Sequence, residues 1–277
     1  MRLRVRTTLA LAICVLLSAS LSSADKPITV ALVFDGLTPE QRAPLQAYLT
    51  RAMGRSVNLV APDLYSETVA HLADGSYDFA CLGALMYVRS HAKYGVVPLV
   101  QRTSDLRFHS VFITRFGSSI HSLHDLAGKR FAFGDINSAS AHLIPYLELK
   151  QAGINPETDL ELRYSGSHVA TAALVQSGVV DAGALDETVF HSLLDSGKLD
   201  GGKVRIFHVS QPFVDYVYVA RKDVPEADRE RFARALLALK EGKDDPALKV
   251  LRARQFVRAS DDEYATVRQV AKELKVF

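Results

Sequence analysis

Strand-like and helix-like segments alternate along this chain, and the same alternation occurs twice. Each occurrence has three strand-like runs separated by two helical patterns, which favours β-α-β units built around a mainly parallel sheet. The first occurrence predicts strands over 28–34, 57–60 and 78–82, with helices over 39–53 and 65–73. The second predicts strands over 130–134, 160–164 and 181–185, with helices over 141–152 and 168–176.

The two occurrences superpose without a gap over their second halves. The matching positions are Gly75 with Gly178, Asp78 with Asp181, Leu82 with Leu185 and, where the helix begins, Tyr65 with His168. A solenoid needs three or more such units. The repeat therefore predicts an α/β fold with two similar lobes, the two-lobed arrangement in which each lobe is a mainly parallel sheet flanked by helices.

The order of the segments also predicts how the lobes are connected. We expect the first lobe to comprise residues 25–109 and 217–277, and the second lobe, residues 110–216, to be inserted into it. Strand-like segments at 110–115 and 216–221 stand between the lobes, and helical patterns at 226–240 and 261–274 are expected to return to the first lobe. Two crossings make a hinge with a ligand cleft. The loops expected to line that cleft follow Phe34, Val60, Leu82, Gly134, Tyr164 and Leu185.

The first 24 residues have the pattern of a secretory signal peptide. A basic start is followed by an apolar stretch and by the small residues Ser22-Ser23-Ala24. The apolar stretch is short for a membrane span, which needs roughly 20 residues. Removal of the segment takes away three of the 33 basic side chains, and the 30 that remain are one fewer than the 31 acidic ones. A nearly neutral mature chain gives no support to nucleic-acid binding. It also keeps only Cys81, so no intramolecular disulfide is expected after export.

The loop from Phe133 to His142 is the most informative one. It joins a strand to a helix, and Ser138 and Ser140 fall at the cap and in the first turn of that helix. Unpaired backbone N–H groups and the positive end of the helix dipole attract anions, and serine hydroxyls add further donors. The alternative is that Ser138 is only an N-cap.

The equivalent helix of the first lobe has a different start. Thr38 can cap it, Pro39 suits its first position and Gln41 can complete a capping box. Those donors satisfy one another, so the second lobe is predicted to hold the anion and the first lobe to close over it.

Four segments in this order carry a resemblance to a known family. They are YDFACLGALMYV (77–88), SLHDLAGKRFAFGDINSASAHLIP (122–145), GSHVATAALVQSGVVDAGALDETVF (166–190) and SQPFVDYVYVARKDVP (210–225). Together they resemble the phosphate, phosphite and phosphonate-binding proteins of ABC transporters (PhnD-like), which have the type 2 periplasmic-binding-protein fold. The resemblance covers nearly all of the mature chain.

The resemblance implies a set of ligand-binding residues. In the family a Ser-Thr-Ser-Gly turn grips the phosphorus oxyanion, and the matching residues here are Ser138, Ala139, Ser140 and Ala141. One hydroxyl and the glycine are therefore lost, and the Cβ of Ala141 is expected to stand beside the oxyanion. The other implied contacts, each with packing or capping as its alternative, are His168, Tyr65, Tyr87 and Asp186.

Each of these side chains has chemistry that suits the implied role. A protonated histidine forms charge-assisted hydrogen bonds with an oxyanion, and a tyrosine offers a flat wall and a hydroxyl. Asp186 would repel a bare phosphate unless it met a ligand cation, which favours a zwitterion.

These observations predict a non-enzymatic periplasmic substrate-binding protein of an ABC transporter. Its ligand would be a small phosphorus oxyanion or organophosphonate held in the cleft, with no cofactor and no metal, and its partner an ABC permease. We expect a monomer. A receptor of the same fold for another small anion, or one that signals to a membrane histidine kinase or chemoreceptor, remains open because docking surfaces leave no recognisable motif.

Two weaker candidates for chemistry remain. His121 and His124 have a spacing found in metal sites but no third ligand nearby. Cys81 could be a nucleophile, although no base is identifiable and cysteine is among the most buried residue types.

Overall fold

The computed structural model describes residues 26–33, 37–62 and 64–276, and of Tyr65 it describes the backbone alone. The predicted signal peptide and Phe34, the predicted end of the first strand, lie outside the described residues. None of the described helices is long and apolar enough to cross a membrane.

The secondary structure follows the predicted alternation. The strands are β1 (Ile28–Ala31), β2 (Val57–Val60), β3 (Phe79–Leu82), β4 (Val97–Arg102), β5 (Ser110–Arg115), β6 (Arg130–Phe133), β7 (Glu161–Tyr164), β8 (Ala182–Asp186), β9 (Val204–Val209), β10 (Val217–Ala220) and β11 (Phe256–Arg258). The helices are α1 (Pro39–Met53), α2 (Tyr65–Asp74), α3 (Ala84–Tyr94), α4 (Ile144–Gln151), α5 (Pro156–Asp159), α6 (His168–Ser177), α7 (Glu187–Asp195), α8 (Glu226–Leu237), α9 (Asp245–Leu251) and α10 (Ala265–Glu273). A π-helical turn, Ala139–Leu143, precedes α4, and single 3₁₀ turns span Thr103–Arg107, Leu123–Leu126 and Asp261–Tyr264.

These strands form two sheets, one for each lobe. The strand order is β11-β4-β10-β3-β1-β2 in the first and β7-β6-β8-β5-β9 in the second. In the first sheet β1 is parallel to β2 and β3, while β10 is antiparallel to both its neighbours. In the second sheet β6 is parallel to β7 and β8, while β5 is antiparallel to β8 and β9. The predicted two-lobed α/β fold is confirmed, but the prediction of mainly parallel sheets is wrong: both sheets are mixed, because β5 and β10, which enter the sheets from the crossings, pair antiparallel with both of their neighbours, and β11 pairs antiparallel with β4.

The reversed strands mark where the chain changes lobes. The strand-like segments predicted at 110–115 and 216–221 do not stand between the lobes, because β5 and β10 lie inside the two sheets and are buried there almost throughout. The crossings are the short stretches before them. Phe108 and Phe213 exchange two backbone hydrogen bonds, of 2.8 and 3.0 Å, and Asp215 N–H donates to the carbonyl of Asp105. The two crossings are therefore joined by backbone hydrogen bonds. The residue at which each lobe begins stays a prediction.

Helix α1 illustrates how local sequence determines an element. The predicted capping box is present, with Gln41 N–H donating to Thr38 Oγ1 and Gln41 Oε1 accepting from Thr38 N–H. The helix ends at Gly54, whose φ of 66° is left-handed and suits glycine. Leu45, Leu49 and Met53 are buried beneath it, each worth about 1.5–3 kcal/mol relative to exposure.

The lobes pack against each other at the π-helical turn. Ala139, Leu143 and Ile144 come from the second lobe but belong to the apolar core cluster of the first lobe. The π-helical turn also contacts α3 and α10 of the first lobe. The loop that the sequence singled out therefore lies between the two lobes.

Candidate functional site

The loop after β6 is folded into a compact turn that presents a helix N-terminus. Ser138 N–H donates to the carbonyl of Asp135, and Ser138 Oγ accepts from Ala141 N–H at 3.0 Å. The N–H groups of Leu143 and Ile144 donate five residues back, to Ser138 and Ala139, which produces the π-helical turn. Such turns occur frequently at functional sites. The alternative that Ser138 is an N-cap is confirmed, and a contact of Ser138 with an anion stays a prediction.

Several hydrogen-bond donors of this turn have no acceptor among the described residues. Among those residues no acceptor meets the N–H groups of Ala139 and Ser140 or the hydroxyl of Ser140, and the carboxylate of Asp135, in the same loop, accepts from Asn137. Ser138 and Ser140 are 3% and 1% exposed, so an anion bound here would be shielded from water. Ala139, which lacks the family's hydroxyl, places its methyl in the first-lobe core.

The methyl group of Ala141, which we predicted to stand beside the oxyanion, has a close neighbour within its own loop. It packs against Gly134, where a Cβ built on the glycine would lie only 2.6 Å from it. Gly134 N–H also donates to the carbonyl of Ala141 at 2.9 Å. Gly134 thus leaves room for the methyl group that stands where the family has a glycine, and the position of that methyl group relative to an oxyanion stays a prediction.

His142 braces the same loop and was not singled out from the sequence. Its Nδ1 lies 2.9 Å from the carbonyl oxygen of Ile136, and its Nε2 lies 3.3 Å from the Tyr164 hydroxyl. Burial lowers the pKa of His142. A neutral ring that donates from Nδ1 and accepts at Nε2 satisfies both contacts, which makes His142 a structural support of the turn.

His168 begins α6 beside this turn. It is 5% exposed, and its Nδ1 accepts from the backbone N–H of Asp186 at 3.1 Å. A neutral imidazole that accepts at Nδ1 carries its proton on Nε2. Ser167, the residue before it, caps the helix by accepting from Ala170 N–H, so the capping alternative proposed for His168 falls to its neighbour.

Two buried carboxyl groups lie where the crossings enter the lobes. Asp186 caps α7 by accepting from Val189 N–H and the Thr188 hydroxyl, and its other oxygen accepts from the Tyr216 hydroxyl at 3.1 Å. Asp215, which the sequence reasoning missed, accepts from Ala84 N–H at the start of α3. Burial, with the nearby charges of Asp186 and Asp105, raises the pKa of Asp215 to about 8.

The two tyrosines differ in what the structure says of them. The Tyr87 ring is fully buried on α3, packs edge-on against Tyr264 and donates its hydroxyl to Asp261 at 2.7 Å. Those contacts fit the packing alternative, and a ligand contact by Tyr87 stays a prediction. Tyr65 begins α2, as predicted, but its side chain lies outside the described residues.

The weaker candidates gain nothing from the structure. Cys81 is fully buried in β3, and burial raises the pKa of its thiol to about 12, so it does not supply a thiolate near neutral pH. In the described part of the chain no group of three or more His, Cys, Asp or Glu residues is arranged to hold a metal ion.

Comparisons with known proteins point to one family. The family model described as the periplasmic substrate-binding protein of a phosphonate ABC transporter matches residues 36–264. The chain is 27% identical over 241 residues to the probable ABC transporter phosphite-binding protein PhnD1 of Prochlorococcus marinus, covering 82% of this chain and 81% of that protein. The structure of that PhnD1 in complex with methylphosphonate superposes with a TM-score of 0.83 at 25% identity, over 91% of this chain and 99% of the other.

A signalling protein is also among the relatives. The chain is 26% identical over 218 residues to the tetrathionate sensor histidine kinase TtrS of Salmonella typhimurium. That alignment covers 70% of this chain and 36% of the kinase.

Proposed function

Because the chain belongs to the family of periplasmic substrate-binding proteins of phosphonate ABC transporters, we propose that it captures a small phosphonate, phosphite or phosphate between its lobes. Binding needs no covalent step. The protein would be an anion receptor that encloses its ligand and passes it to an ABC permease, and it would act without enzymatic activity as a monomer.

The observation that carries this proposal is the buried helix start at Ser138–Ser140. A phosphorus oxyanion has several oxygens to satisfy, and this turn offers backbone N–H groups, a serine hydroxyl and the positive end of a helix at one point. The site lies between the lobes, against α3 and α10. Closure would thus surround the anion with donors and remove it from water, which strengthens each charge-assisted hydrogen bond.

The proposed ligand contacts beyond that turn come from both lobes. We assign His168 to the oxyanion as a donor from the second lobe, and Tyr65 to the facing wall of the first. Asp186, with Asp215 near it, is assigned to the part of the ligand that carries no negative charge. The Asp186 carboxylate would repel a negatively charged oxygen of a bare phosphate. It would tolerate the alkyl group of a phosphonate and attract an ammonium group.

Titration calorimetry of the mature protein with methylphosphonate, an aminoalkylphosphonate, phosphite and phosphate tests the proposal. The Ser140→Ala variant removes one hydrogen bond to a charged group, worth about 1.5–3 kcal/mol, so the Kd should rise about 10- to 150-fold. Ser177→Ala is the matched control, because Ser177 is an exposed serine at the far end of α6. Absence of heat and of a thermal shift with all four anions would exclude the proposed ligand class.

The route to the periplasm is part of the proposal. Membership of a periplasmic family agrees with export, and residues 1–24 would supply the cleaved signal peptide. Mass spectrometry of the exported protein should give an N-terminus near Asp25.

A sensory role is the second candidate, favoured by the similarity to the sensor kinase TtrS over 70% of this chain. In that case the closed receptor would regulate a membrane histidine kinase. The two roles separate in a reconstituted system: the liganded protein would stimulate ATP hydrolysis by a permease in the first, and change kinase autophosphorylation in the second.

A further inference from the structure

Arg89 of the first lobe reaches across to the loop that carries the proposed anion site. It lies on α3, and its Nη1 donates to Asn137 Oδ1 at 2.6 Å. Asn137 directly precedes Ser138 in the second lobe. This is a direct polar contact between a cationic side chain of one lobe and the anion-binding loop of the other.

Arg89 and Asn137 are each held in place by further hydrogen bonds within their own lobe. Arg89 Nε donates to the carbonyl of Val276 at 2.7 Å, and Nη2 donates to the same oxygen, so the C-terminal segment fixes the guanidinium. On the other side, the backbone N–H and the side-chain amide of Asn137 both donate to Asp135 Oδ1, at 2.7 and 3.0 Å. That arrangement turns Asn137 Oδ1 towards Arg89.

The contact is coupled to the geometry of the turn itself. Asp135, which orients Asn137, also accepts from Ser138 N–H through its carbonyl, and Ser138 Oγ accepts from Ala141 N–H. A displacement of Asn137 would therefore reach the residues whose N–H groups and hydroxyl face the ligand. We propose that Arg89 is a positioning residue of the anion site, which fastens the Ser138 turn when the lobes close and so slows release of the ligand.

The proposal predicts a particular kinetic effect. Association precedes complete closure, so its rate should be nearly independent of Arg89, whereas dissociation requires the contact to break. A hydrogen bond to a charged group is worth about 1.5–3 kcal/mol, so Arg89→Ala should raise the dissociation rate at least about tenfold. Arg89→Lys keeps the charge but lacks the planar guanidinium that reaches Asn137 and Val276 together, and should give an intermediate rate.

Stopped-flow kinetics with methylphosphonate test this in the mature protein. Asn137→Ala should match Arg89→Ala, and the double variant should be no faster than either, because all three lack the same contact. Lys93→Ala is the matched control: this cation on the same helix lies over its neighbour Tyr94 and makes no contact with the second lobe among the described residues. Unchanged dissociation in Arg89→Ala, additive effects in the double variant, or an equal effect of Lys93→Ala would overturn the proposal.

This inference rests on the proposed function, so a second measurement separates the two. The native Cys81 is fully buried, which allows spin labels to be placed selectively at Glu67→Cys on α2 and Ala173→Cys on α6, both exposed positions on opposite lobes. Arg89→Ala should lengthen the mean distance between the two labels and broaden the distance distribution relative to the labelled parent. If the parent binds none of the four anions but Arg89→Ala still opens the lobes, the anion assignment fails and the fastening role stands. If the parent binds an anion and Arg89→Ala changes neither distance nor dissociation, the fastening role fails.

Discussion

The contact between Gly134 and Ala141 gives a prediction whose size can be worked from the structure. In Gly134→Ala the new Cβ would lie 2.6 Å from the Cβ of Ala141. Two carbon atoms in ordinary contact lie about 3.5–4.0 Å apart, so the turn must move by about 1 Å to separate the two Cβ atoms. The φ angle of Gly134 is outside the left-handed region. The effect of the substitution is therefore steric, with no backbone strain added.

Overpacking of this kind costs about 1–3 kcal/mol of the free energy of unfolding. A shift of about 1 Å also takes the donors of the turn out of hydrogen-bonding range, which should raise the Kd for methylphosphonate about tenfold. The assays are urea unfolding and titration calorimetry on the same preparation.

A second substitution should rescue the first. Ala141→Gly alone should destabilise the parent by about 0.5–1 kcal/mol, because glycine loses more conformational freedom on folding. In the Gly134→Ala background it removes the clash, and the remaining neighbours, at 3.8 and 3.9 Å, are in ordinary contact. Ala141→Gly should therefore stabilise the single variant and restore most of the affinity. The reasoning is refuted if Gly134→Ala behaves like the parent, or if Ala141→Gly lowers the stability further in that background.

Three further predictions follow from other contacts. Ser138→Ala should lower both affinity and unfolding free energy, the latter by about 1 kcal/mol because the helix cap is lost, whereas Ser140→Ala should lower affinity alone; equal losses of stability would contradict this division. The pKa of Asp215 is raised to about 8 in the folded protein from about 3.9 in the unfolded chain, so stability should fall as pH rises through that window. Asp215→Asn should reduce this fall between about pH 4 and pH 8, and an unaltered slope in urea titrations would count against it. Cys81 should resist iodoacetamide in the native protein and react fully in denaturant, and rapid native labelling would contradict its burial.

Elements with local signals were predictable from the sequence. Helix α1 has its capping box and a terminal glycine, and it occurs at the predicted residues. Strand β2 likewise has the predicted bounds. The repeat also predicted that there are two lobes, because the same spacing of glycine and aspartate follows the second helix in each.

Other elements have no such signal. Helix α3 follows Gly83, which has no side chain to cap it, and its first N–H donates to the distant Asp215; most of its first two turns are buried. Its sequence, continuous with the apolar strand β3, lacks the polar face from which a helix is inferred. The helix predicted at 141–152 begins instead with a π-helical turn, because the backbone donates five residues back around Ser138. Ala139 and Leu143 of that turn pack in the apolar core of the other lobe, a tertiary contact that a local sequence pattern does not reveal.

The residues of the candidate site likewise include some with a local sequence signal and some without one. Ser138 and Ser140 were predictable because a strand-to-helix turn with two serines is a local feature, although the resemblance was needed to add His168. Arg89 and Asp215 were not predictable, since each meets the site only after the lobes are assembled. Asp186 was predicted as a ligand contact, with capping of α7 as its alternative; it does cap α7, and its role towards a ligand stays a prediction.

A crystal structure of the mature protein with methylphosphonate tests the central claim most directly. We predict phosphonate oxygens about 2.7–3.2 Å from the backbone nitrogen atoms of Ala139 and Ser140 and from Ser140 Oγ, between closed lobes. A phosphonate bound elsewhere, with those three donors turned towards protein atoms or bulk water, would contradict the account.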